Sequence, residues 1–109
     1  MMTKWDQAGQ PYETAQDTIV QVRLPATLQR KELRAGIAIA LFYLSLGKKP
    51  THIPDENEKW TNTKIRLSSE AKRFFDELLA RSEFASKNQI ILYALAWLHE
   101  RPHLQRCRL

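Results

Sequence analysis

Residues 61–75, TNTKIRLSSEAKRFF, alternate strictly and then stop alternating. Lys64 and Arg66 fall on one side, Ile65 and Leu67 on the other, and a helical period sets in after Ser68. A strand this short cannot stand alone. An isolated two-stranded ribbon is marginal in water and needs other elements on its apolar face. A second stretch, TIVQVRLP (18–25), has the same pattern. Val20, Val22 and Leu24 fall on one face, and Ile19, Gln21 and Arg23 on the other. Period two with β-branched residues marks a strand. The remaining apolar periodicity is helical, so the chain is mainly α with a short β-ribbon.

Each helix carries start and stop signals. After the strand at 62–67, Ser68 is placed to cap a helix over 69–82, with Glu70 in the first turn, where the dipole favours an acid. Ala71, Phe74, Phe75, Leu78 and Leu79 make one apolar stripe. Ser86 and Gln89 form a capping-box pattern for a second helix, and Pro102 ends it. In the N-terminal half, residues 26–46 read as one long helix or two fused short ones, with Gly36 as the one internal breaker and a stop at Gly47. The expected organisation is a loose arm (1–17), a strand-helix unit (18–46), a linker (47–61) with a solvated acidic middle, a strand-helix-helix unit (62–102) and a short basic tail (103–109).

Composition narrows the function classes. The chain has 109 residues, 43% hydrophobic and 27% charged, which describes a folded soluble domain. Its net charge of +5 favours an acidic partner, nucleic acid being the commonest. The single Cys107 fits a reducing compartment, and the N-terminus lacks the apolar segment of a secretory signal, so a cytoplasmic, nucleoid-associated location is expected. Residues 36–47 are too short to span a bilayer, so no membrane partner is expected.

The order strand, helix, short turn, helix over 63–101, with the alternating basic strand, LSSEA at the junction and SKNQIILYALAWL as the capped second helix, resembles the ribbon-helix-helix DNA-binding family of the MetJ/Arc type. In that family two strands pair antiparallel, and the outward side chains of the ribbon touch base edges in the major groove. The resemblance implies Asn62, Lys64 and Arg66 as base contacts. Arg and Lys donate to guanine O6 and N7, and Asn or Gln pairs with adenine. It also implies that Ser86, Lys87 and Asn88, at the start of the second helix, face a DNA phosphate. A helix N-terminus suits an anion on physical grounds too.

The N-terminal half reads as a degenerate second copy. VQVRLP (20–25) matches TKIRLS (63–68) at an offset of 43, and RKELRAGIAIAL (30–41) matches KNQIILYALAWL (87–98) at an offset of 57. The gap between the offsets is about one helix long, so the first helix of this copy is missing or fused. Arg30 and Lys31 then correspond to Lys87 and Asn88, as further phosphate contacts. Two architectures follow. Either the two strands pair within one chain, as a tandem pseudo-dimer with Gln21 and Arg23 beside Lys64 and Arg66, or each pairs with its copy in another chain. The apolar run 36–46 argues for at least a dimer of chains.

No motif supports an enzyme. His99, His103 and Cys107 are metal-ligand types, but Pro102 breaks their helical spacing, so neither metal nor cofactor is expected. The expected function is sequence-selective binding of double-stranded DNA, as a prokaryotic transcriptional repressor or a plasmid or phage regulator. The alternatives are an antitoxin or adaptor of the same fold, with a protein partner on the N-terminal arm, or an architectural or relaxosome accessory protein.

Overall fold

The structure, a computed structural model, describes residues 18–53 and 59–106. The arm, the acidic residues Asp55, Glu56 and Glu58 of the linker, and Cys107 lie outside the described residues. Strands β1 (Thr18–Pro25) and β2 (Trp60–Leu67) form one antiparallel sheet within the single chain. Helices α1 (Lys31–Ala35) and α2 (Ile37–Ser45) lie between them, and α3 (Ser69–Ala80) and α4 (Lys87–His99) follow. The fold is thus mainly helical with a small two-stranded sheet. Among the described residues no helix is long and apolar enough to cross a membrane.

Alternation places the core. Val20, Val22, Leu24, Ile65 and Leu67 point inward and are buried. β1 packs on α4, and β2 on α3. From Ile90 to Leu98 every residue of α4 except Tyr93 is buried, so this helix is the centre of the molecule. α2 packs on both α3 and α4. Phe42 meets Phe74 of α3 with ring centroids 5.4 Å apart, and Tyr43 stacks on Trp97 of α4 at 4.8 Å. The apolar run of the N-terminal half is therefore largely covered inside one chain. Ile37, Ile39, Ala40, Leu41 and Leu44 are buried, while Phe42 and Leu46 keep part of their surface exposed.

The caps sit where the serines put them. Ser68 Oγ accepts from Ala71 N, and Ser86 Oγ accepts from Gln89 N, both at 3.2 Å. Gln89 reaches back one residue further than a capping box requires, to the N–H of Ala85. Gly47, at φ +95°, ends α2. Its N–H bonds to Leu44 O at 2.9 Å and that of Lys48 to Tyr43 O at 3.1 Å, the Schellman arrangement.

Residues 26–46 are two short helices rather than one long one. Ala26–Leu28 make a 3₁₀ turn, and Gln29 and Arg30 leave helical geometry before α1 begins. Leu28 is fully buried, and Gln29 Nε2 donates to Leu24 O and Thr61 Oγ1, so this turn is tied to the end of the ribbon. The described part of the basic tail expected at 103–109 belongs to a second 3₁₀ turn, Pro102–Arg106. Leu104 packs on the core, and Gln105 Nε2 donates to Leu98 O at 3.0 Å.

Glu100 ties the linker to the end of α4. Its carboxylate accepts from Thr51 N, Thr51 Oγ1 at 2.8 Å and His52 N at 2.9 Å. Burial by itself would raise this pKa. The donors from Thr51, His52 and Arg101 outweigh it, and the carboxyl is held below its ordinary value. A lowered pKa contributes stability that is full above the unfolded-state value, about 4.3, and is lost as pH falls through the folded value. Thermal melts should therefore show wild type above Glu100→Gln at pH 7, with the gap closing toward pH 3. A gap independent of pH would mean that the charge is not what holds the linker.

Candidate nucleic-acid interface

The register of the ribbon decides what its outer face presents. Ile19 lies opposite Arg66, Gln21 opposite Lys64, and Arg23 opposite Asn62. All six are exposed. Their neighbours Val20, Val22 and Ile65 point the other way into the core. The five positions that the resemblance implies at base edges, Gln21, Arg23, Asn62, Lys64 and Arg66, share one face. Three are cationic, two are carboxamides, and none is acidic.

Under the 43-residue offset expected from the sequence, the pair Gln21–Lys64 is its own counterpart and the pair Ile19–Arg66 maps onto Asn62–Arg23. The helices follow their expected offset less closely. Arg30 stands at the N-cap of α1 as Ser86 does at that of α4, so the correspondence is one residue away from the offset of 57. It matches Lys31 with Lys87, each the first residue of its helix. Arg30 has no capping hydrogen bond and lies 3.7 Å from Glu32.

The ends of the ribbon are flanked differently. At the Arg23–Asn62 end, Asn88 at the start of α4 accepts from Arg23 N at 2.5 Å and donates to Arg23 O at 3.2 Å. Those backbone groups face away from β2, and a carboxamide supplies the acceptor and donor that a third strand would have supplied. Asn88, expected at a phosphate, is thus occupied in pinning the ribbon. Ser86 Oγ is occupied in its cap. Lys87 is exposed beside them. Gln21, Arg23, Asn62, Lys64 and Asn88 line a shallow hollow of about 490 Å³ here.

At the other end, a hollow of about 590 Å³ is lined by Arg34, Lys64, Arg66 and Ser68 together with Ile19 and Ile37. Arg34 Nη2 donates to Thr63 Oγ1 at 3.0 Å, which holds its guanidinium against β2. Sequence reasoning did not assign Arg34 to the interface. Its spacing of four from Arg30 was the available signal, since residues four apart share a helix face. The arrangement combines a ribbon face rich in donors with cations on both flanks. Among the described residues no cluster of His, Cys, Asp or Glu could hold a metal ion. Comparison with models of protein families, with curated proteins and with solved structures finds no match to the chain.

Proposed function

We propose that the chain is a sequence-selective double-stranded DNA-binding protein of the ribbon-helix-helix kind, in which one chain supplies both strands of a tandem, pseudo-dimeric unit. The observation that carries this reading is the in-register outer face of Arg23, Lys64 and Arg66 with Gln21 and Asn62 over a buried inner face. A two-stranded ribbon fits the major groove, where Arg and Lys read guanine and Asn and Gln read adenine. Lys87 on one flank and Arg34 on the other, with Arg30 and Lys31 at the start of the helix that carries Arg34, are exposed cations, and in this reading they meet the two phosphate backbones. Occupying a promoter in this way blocks transcription, so repression is the role that follows. A second chain is not needed to complete the ribbon, and association of copies would serve to join adjacent sites.

Fluorescence anisotropy tests this reading. A duplex selected by the protein from a randomised pool is titrated against a scrambled duplex at 50 and 200 mM salt. The selected duplex should bind more tightly, and both affinities should fall steeply with salt. Equal affinity for the two duplexes would remove base reading from the ribbon.

A further inference from the structure

Of the six exposed residues on the outer face, five are polar and one is not. Ile19 stands 55% exposed at the Arg66 end. Its counterpart under the 43-residue offset is Asn62, at the Arg23 end. The two ends of the reading face therefore share an arginine and differ in the side chain across from it. One end pairs Arg23 with Asn62, and the other pairs Arg66 with Ile19. Ile19 adds nothing to the core, which lies on the opposite face. It can neither donate nor accept a hydrogen bond. In the major groove the only apolar group on a base edge is the C5-methyl of thymine.

We infer that Ile19 is a specificity-determining residue that reads a thymine methyl, making the bound site directional. Guanine-reading arginines stand at both ends, an adenine lies beside one of them and a thymine beside the other. This rests on the reading of the ribbon as a base reader and assigns that site its polarity. The bland account of Ile19 is a β-branched residue favoured in any exposed strand. That account predicts no dependence on a methyl group in the DNA.

The deciding experiment replaces each thymine of the selected duplex, one at a time, by deoxyuridine, which keeps the base pair and removes only the methyl. Wild-type protein should lose affinity at one thymine, on the side where Arg66→Ala relaxes the guanine preference. Removal of one methyl from an apolar contact corresponds to about a fourfold loss. Ile19→Asn should abolish that sensitivity and lower the thermal melt only slightly, because the residue lies outside the core and only strand propensity is lost. It should also shift the preference at that position from thymine toward adenine. If wild type still prefers the selected duplex but no deoxyuridine changes its affinity, the inference about Ile19 is overturned and the DNA reading stands. If wild type binds the selected and scrambled duplexes alike, both are overturned together.

Discussion

A Lys64→Ala/Arg66→Ala protein is expected to lose most of its preference for the selected duplex, the remainder coming from Gln21, Arg23 and Asn62. Each good base contact in the major groove is worth about 1–3 kcal/mol of discrimination, so the pair carries about 2–6 kcal/mol. The loss should appear in the ratio of the two affinities. Residual binding to either duplex should persist through the flanking cations and keep its salt dependence, because phosphate attraction carries no sequence information. The fold should hardly respond. Both side chains are exposed on the outer face, opposite Gln21 and Ile19, and surface changes of this kind usually stay within about 0.5 kcal/mol. Anisotropy with both duplexes, beside a thermal melt, separates the effects. A double variant that keeps the wild-type preference would show that these residues are only a charged strand surface, of the sort that discourages edge-to-edge pairing.

What could be read in the chain was whatever local spacing determines. Alternation at 18–25 and 62–67 located the strands and sorted their faces, since one register slip would turn Ile65 and Leu67 out to water. Ser68, Ser86 and Gly47 marked helix ends because capping is a matter of neighbouring atoms. The pairing partner of each strand is a long-range choice, and neither strand carries a local mark of it. The 3₁₀ turn at Ala26–Leu28 was hidden for a similar reason. Its residues accept helix, but burial of Leu28 and the bonds of Gln29 to Leu24 and Thr61 override that preference. Asn88 shows the same limit at the interface. Its place at a helix start suggested phosphate, whereas its carboxamide is committed to the backbone of Arg23, 65 residues away in sequence. Arg34 is held at β2 by the hydroxyl of Thr63, 29 residues away in sequence, a contact that local spacing does not reveal.

Gly36→Val is expected to destabilise the junction of the two N-terminal helices. A Cβ at this position would come within 2.7 Å of Leu98 Cδ2, closer than real contacts allow, and Leu98 is fully buried. The backbone of Gly36 is ordinary, at φ −96°, so space rather than conformational freedom excludes a side chain. Overpacking of this kind costs about 1–3 kcal/mol, which for a chain of this size lowers Tm by on the order of 5–15 °C. Alanine should be milder, because its better helix propensity returns up to about 1 kcal/mol and a single methyl can be met by rotation of Leu98. The mechanism is checked by combination with Leu98→Ala. That change alone opens a cavity, and the valine at 36 would then fill part of it. The double variant should lose less than the two single losses added together, with a coupling of about 1 kcal/mol or more. Strict additivity would show that the two positions do not share the space, and the close approach of α4 to the α1–α2 junction would then need another cause. The contact also bears on the ribbon, since α1 and α4 carry Arg34 and Asn88 to its two flanks. Forcing these helices apart at Gly36 should therefore weaken DNA binding as well as stability, and the Leu98→Ala partner should restore part of both.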